Sequence, residues 1–272
     1  MQFTGTAALD LVLYLTAALG LLLRFLGKGP ALLREGRGFT VSAAMAAVFI
    51  HSVLLYGLMA TPRGLDLGYF NAVALAGWLM ACIGLAMFLK PAFENLGLVL
   101  YPLAGVSVLL AELFPHDVLL LQDRSWPLGM HIFTSMLAYS LLGVAALQAC
   151  VLYLQERRLR HASAGGVLSA LPPLTEMERF LFQLIGAGFV LLTLSLLTGL
   201  IFVKDFMAQH LAHKAVLSAL AWLVFAVLLW GRWKFGWRGR LAIRWTLGGF
   251  AALVLAYFGS KLVLELILGR HW

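Results

Sequence analysis

Eight stretches of about 20 residues, each nearly free of charge, restrict the fold of this chain more than any other feature. They lie at about 8–26, 40–59, 69–89, 95–113, 127–154, 179–203, 212–231 and 243–268. A continuous apolar run of that length spans the hydrocarbon of a bilayer as a helix, whereas a bilayer-crossing strand is shorter and alternates in polarity. Helices and closed barrels are the only structures that satisfy their own backbone polar groups in lipid. Composition agrees: 62% of the 272 residues are hydrophobic and 12% charged, and the mean hydropathy is +0.93. A soluble domain is about half apolar and about a quarter charged. The expectation is an all-α, polytopic membrane helix bundle of about eight transmembrane helices, with 1–272 as a single integral membrane domain. The opening "MQFTGTAALDLVLYLTAALG" reads as a first span and not a removed signal peptide, since a basic leading region and a small-residue cleavage site are not evident.

The breaks between runs carry turn-forming residues: "GKGPALLREGRG", "TPRGLDLG", "KPAFEN", "FPHDVLLLQDRSWP", "LPPLTEME" and "GRWKFGWRGR". "TEME" has the spacing of a capping box, with Thr175 placed to cap and Glu178 to reach back. The net charge of +8 is best read as an orientation signal and not as a nucleic-acid surface. Arg24, Lys28, Arg34, Arg37, Lys90, Arg157, Arg158, Arg160, Arg179, Arg232, Lys234, Arg238, Arg240 and Arg244 flank the odd-numbered connections, fourteen of the twenty Lys and Arg. The positive-inside rule then places those connections in the cytoplasm and both termini outside. Trp126 and Trp272 at outer ends, and Trp233, Trp237 and Trp245 at inner ends, fit interfacial belts. The two cysteines, Cys82 and Cys150, form no CxxC pair and read as small buried apolar residues.

Ionisable side chains at membrane depth are costly and face a bundle interior or a watery cavity. His131, in "GMHIFTSMLAYS", is four residues into the fifth span, roughly 6 Å below its outer end. His51, in "AAVFIHSVLLYG", is about eight residues, roughly 12 Å, below the outer end of the second. Thr134, Ser135 and Tyr139 follow His131 at i+3, i+4 and i+8, so the four share one helical face. Two neutral imidazoles at similar depth can ligate a metal or the iron of a haem, or each can hydrogen-bond a neighbouring helix.

Tyr257, Lys261 and Glu265 repeat at four-residue spacing in the eighth span. Lys261 either pairs with Glu265 within the helix or meets an anionic group such as a haem propionate. His210 and His213 lie in what reads as the outer loop before the seventh span, beside Lys214. Two ligands make a weak metal motif, and solvated loop histidines are the plainer reading. Glu112 reads as interfacial, His116 and His271 as external, and His161 as a cytoplasmic loop residue. Nothing resembles a nucleophile with a base, a phosphate loop or HExxH, so no enzyme is expected. "GWRGR" reads either as a tight glycine turn with orienting arginines or as a partner surface.

"MHIFTSMLAYSLLGVAALQACVLYLQERRLR", "LLTLSLLTGLIF" and "KAVLSALAWLVFAVLLWGRWKFGWRGRLAIRWTLGGFAALVLAYFGS" resemble the cytochrome c assembly family, the CcsA/CcmC/CcmF superfamily of haem handlers. The likeness is greatest to its YpjD/HemX-like branch of bacterial inner-membrane proteins. It covers nearly the whole chain towards that branch, including "FIHSVLLYG", and about 128–260 towards CcsA. The resemblance implies an inner-membrane protein that handles haem in cytochrome maturation or in another membrane complex. It implies that His131, at the opening of the "H…S…AY" helix, is an external haem ligand, and it matches His51 to a second-span histidine. His51 and His131 would then supply axial nitrogens, while Lys261 or Arg124 neutralises propionates. The family's tryptophan-rich WWD segment would fall within "KDFMAQHLAHKAVL", which contains no tryptophan. The late span-seven histidine of CcsA falls on Trp230, and His271 stands a few residues from the place of a second external histidine.

Two other classes of function remain open at this stage. One is a transporter or channel for a small solute or ion, for which Gly143, Gly186 and Gly188 would mark broken mid-membrane helices. The other is an accessory subunit that binds no ligand and pairs with a second membrane protein.

Overall fold

A computed structural model describes residues 4–29, 37–61, 64–114, 120–121, 126–160, 171–202 and 209–259. Its α-helices are α1 (Thr4–Phe25), α2 (Arg37–Met59), α3 (Tyr69–Ala86), α4 (Gly97–Leu113), α5 (Trp126–Arg160), α6 (Leu174–Phe202), α7 (Gln209–Phe235) and α8 (Arg240–Val254). Together with short flanking turns they give, among the described residues, eight helical segments long and apolar enough to cross a membrane. Two 3₁₀ turns, Met87–Leu89 and Pro91–Leu96, join α3 to α4, and a π turn, Leu255–Gly259, follows α8. The fold class is therefore the expected one. By contact density the chain divides into two compact units, the first built on α1–α4 and the second on α5–α8.

In the first unit, α1 buries Ala7, Asp10, Tyr14, Ala17 and Leu21 and exposes Leu9, Val12, Leu15 and Leu19. The buried positions alternate three and four apart, the spacing of a single helical stripe. On α2 the buried set is Thr40, Ala43, Ala44, Ala47, His51, Leu54 and Leu55. Alanines at the contact let helices approach closely. Gly105 on α4 marks one such approach, to the backbone of α1: a Cβ there would stand 3.0 Å from the Leu11 Cα and 2.7 Å from its Cδ1.

One buried carboxylate ties three connections together at one end of this unit. Glu94, in the second 3₁₀ turn, accepts from Arg24 Nη1 at 2.7 Å and pairs with Arg37 through its other oxygen. Arg24 is in the last turn of α1 and Arg37 opens α2, whose guanidinium also donates to the Phe88 carbonyl. At the opposite end a small antiparallel sheet forms where only turns were expected. β1 (Ala60–Thr61) pairs with β2 (Gly64–Asp66), and β2 with β3 (Leu120–Leu121) in the register Leu65 to Leu121.

In the second unit α5 runs antiparallel to α8. Tyr139 donates to the Leu253 carbonyl at 2.7 Å, and near the other end Arg240 Nε reaches Glu156 at 3.2 Å. Helix α5 also packs along α6, where Met136, Leu142, Leu152, Met177 and Leu181 are fully buried. Both helices run unbroken through Gly143, Gly186 and Gly188. Gly188 instead marks close packing, since a Cβ there would sit 2.7 Å from the Leu142 side chain.

Several local expectations need correction. Helix α6 starts at Leu174, with the Pro173 carbonyl accepting from the Met177 N–H, so Thr175 falls inside the first turn. Glu178 does not reach back to a cap; its carboxylate accepts the Gly239 N–H at 2.6 Å. His210 and His213 lie in α7 rather than in a loop, because the helix begins at Gln209. Cys150 is exposed and Cys82 half-buried, since α5 turns its 150 position away from the packed face. "GWRGR" is a tight turn: Gly236 and Gly239 have φ of 67° and 58°, a region only glycine enters freely. Trp237 folds back on Gly231, where a Cβ would come within 2.4 Å of the indole.

Candidate functional site

The polar stripe of α5 meets a second stripe on α6. His131 Nδ1 is 3.0 Å from Thr198 Oγ1, and Ser135 Oγ is 2.7 Å from Ser195 Oγ. The Thr198 hydroxyl has one proton, and it lies 2.9 Å from the Leu194 carbonyl and 3.0 Å from that of Ser195. With the proton given to the helix backbone, Thr198 accepts from His131 Nδ1–H, a tautomer assigned from this network. On that assignment Nε2 carries the lone pair, and the Ser195 main chain also lies beside the imidazole. Gly199 makes room for the ring: a Cβ there would lie 3.1 Å from His131 Cε1. A metal-binding imidazole is built in this way, one nitrogen fixed by a partner and the other left to coordinate.

His51 is arranged similarly within the first unit. The Tyr14 hydroxyl lies 3.2 Å from its Nδ1, and Asp10 Oδ2 stands 3.7 Å from the same nitrogen. Tyr14 in turn stacks on Tyr101 at 6.0 Å between ring centroids. His51 and Asp10 have no solvent exposure. Nε2 of His51, both carboxylate oxygens of Asp10 and the Tyr101 hydroxyl make no hydrogen bond among the described residues. The Ala74 main chain lies beside the imidazole, outside hydrogen-bond geometry at Nε2. A buried carboxylate without hydrogen bonds opposes folding. Asp10→Leu, which keeps the branch at Cγ, is therefore expected to raise the thermal midpoint of the detergent-solubilised protein by a few degrees. A lower midpoint would assign Asp10 a stabilising role.

Comparison with known proteins decides the family. The family profile described as cytochrome C assembly protein matches residues 39–268. The chain belongs to the cytochrome c assembly protein family. Within it, the inner membrane protein YpjD of Escherichia coli K12 is 33% identical over 247 residues, covering 88% of this chain and 92% of the relative. Protein HemX of Brevibacillus brevis is 23% identical over 223 residues, 81% of this chain and 74% of its own length. A cytochrome c biogenesis protein CcsA of Prochlorococcus marinus is 30% identical over 156 residues, about half of each chain (50% and 49%). No solved structure matches significantly.

For this family member, the structure engages two of the candidate residues in helix packing. The Ser135 hydroxyl also donates to the His131 carbonyl at 2.6 Å. Tyr139 spends its hydroxyl on Leu253 of α8 and packs against Phe258. His51 belongs to the first unit and His131 to the second. Lys261, Glu265, His116, Arg124, His161 and His271 lie outside the described residues. Asp10, Tyr14, Thr198 and Gly199 were not singled out from sequence. Asp10 had a readable signal, an acidic residue inside an apolar run and four positions before a tyrosine.

Proposed function

We propose that this protein handles haem in a bacterial inner membrane, with both termini periplasmic, in support of cytochrome maturation or of another membrane complex. Haem is the cargo in this reading, and His131 is its principal ligand. The observation that carries the reading is the His131–Thr198 contact, which fixes Nδ1 and leaves Nε2 for an iron. Its donor chemistry fits haem, because a neutral imidazole held by a hydroxyl is a suitable axial ligand. His51 is a second donor position, supported by the orphaned Nε2 in its buried cluster. Lys261 or Arg124 would neutralise propionates. The name of the CcsA relative, a cytochrome c biogenesis protein, supports the same reading, as does the inner-membrane location named for YpjD. A binding role is proposed, with no bond-making step assigned to the chain and no nucleic acid among its partners; a second inner-membrane protein would receive or supply the haem.

A second reading, an ion or small-solute pathway, draws on one observation: the Asp10–His51 pair sealed among membrane-spanning helices. The two readings separate in one experiment. The protein is purified in detergent, its visible spectrum and pyridine haemochrome are recorded before and after adding haemin, and His131→Ala and His51→Ala are treated alike. The expected result is a Soret band that His131→Ala abolishes or shifts and His51→Ala weakens. A colourless wild type that takes up no haemin overturns the haem reading. Unchanged spectra in both variants keep haem but refute these ligands.

A further inference from the structure

A second feature of the α5–α8 unit is independent of the haem reading. Between the two helices, toward the end where Glu156 meets Arg240, runs a groove of about 410 Å³. On α5 it is lined by Cys150, Tyr153 and Leu154. On α8 the lining residues are Arg240, Ile243, Arg244 and Leu247, spaced three and four apart and so on one helical face. Because the helices are antiparallel, the groove is polarised along its length. Arg240, Arg244 and Tyr153 stand toward its loop end, while Cys150 and Leu247 lie a turn deeper in the membrane-spanning segment.

The charges at the loop end are incompletely used. Arg240 gives Nε to Glu156, which leaves its two terminal amino groups without a hydrogen bond among the described residues. Arg244 is exposed and makes neither a hydrogen bond nor an ion pair among the described residues. Two arginine forks one turn apart suit the oxygens of a phosphate. The walls below them are apolar and open toward the lipid, which suits a hydrocarbon chain. Water-soluble anions gain nothing from those walls.

We propose that this groove binds an anionic phospholipid, with the phosphate on Arg240 and Arg244 and an acyl chain along Ile243, Leu247 and Leu154. Charge complementarity selects an anionic headgroup over a zwitterionic one, since each arginine near a membrane surface strengthens anionic-lipid binding roughly fivefold. Arg244 is the decisive residue, because its replacement breaks no hydrogen bond or ion pair among the described residues.

The test is a lipid titration of the delipidated full chain in detergent, read by native mass spectrometry. The probes are dioleoylphosphatidylglycerol, dioleoylphosphatidylcholine and inorganic phosphate. Phosphatidylglycerol is expected to bind several-fold more tightly than phosphatidylcholine, and Arg244→Gln to weaken it roughly fivefold. Arg238→Gln, an exposed arginine outside the groove, should leave binding unchanged. Leu247→Trp, which fills the apolar part, should weaken both lipids. Equal binding of the two lipids overturns the proposal. So does an equal loss in Arg238→Gln, which would mark a diffuse basic surface, and so does competition by millimolar phosphate, which would mark a site for a bare anion.

Discussion

Glu94→Ala is expected to cost about 3 kcal/mol of stability, seen as a large drop in the unfolding midpoint in detergent or in a denaturing-detergent titration. Three connections of the first unit converge on this carboxylate: the end of α1 through Arg24, the start of α2 through Arg37, and the α3–α4 turns that carry Glu94 itself. The Glu94 side chain is 1% exposed, Arg24 26% and Arg37 39%. Removing one partner of a buried pair typically costs about 3–5 kcal/mol because the other charge is left uncompensated. Here the arginines retain some water, which sets the expectation at the lower end. Glu94→Gln keeps the shape and one acceptor and should cost about half as much. If Glu94→Ala melts like the wild type, the cluster is only a solvated surface feature.

Gly105→Leu is the second large effect. A Cβ at this position already meets the Leu11 main chain, so a longer side chain must push α1 away from α4. Overpacking costs about 1–3 kcal/mol, and a backbone obstacle that cannot rotate aside places this case at or above the top of that range. Displacing α1 also moves Asp10 and Tyr14 away from His51. Gly105→Ala should be intermediate. Gly186→Ala is the control, because nothing stands within 4 Å of its would-be Cβ and alanine is the better helix former. An order other than Gly105→Leu below Gly105→Ala below Gly186→Ala in thermal midpoint would refute the close α1–α4 crossing.

The helices were legible because the membrane imposes length and hydropathy on each one separately. The partners of the polar residues were not, because they are set by which helix faces which. His51 stood out as a histidine in lipid, yet its neighbours Tyr14 and Asp10 come from α1, 37 positions back in the first case. His131, Thr134, Ser135 and Tyr139 were expected on one face, but that Thr198 and Ser195 would answer His131 and Ser135, and Leu253 Tyr139, required knowing that α5 packs on α6 and α8. Glu178 failed for a different reason. The local pattern was genuine capping chemistry, and a loop 61 residues away presented a better donor in the Gly239 N–H. Glu94 looked like turn punctuation because nothing local reveals that the 3₁₀ turn folds inward.

Asp10 has a consequence for how the molecule is made. An aspartate at the centre of a span adds about 2.5–3.5 kcal/mol to the cost of inserting it, and Asp10, between one and two turns into α1, carries part of that cost. Leucines, valines and alanines elsewhere in α1 offset it, for the helix has a mean hydropathy of 2.0. The carboxylate is shielded only once His51 of α2 and the Tyr101 face of α4 close over Tyr14 and its neighbours. Until those helices dock, α1 holds an acid without that cover. Assembly of the first unit is in this sense ordered by Asp10, whose carboxylate is covered only after α2 and α4 have docked on α1.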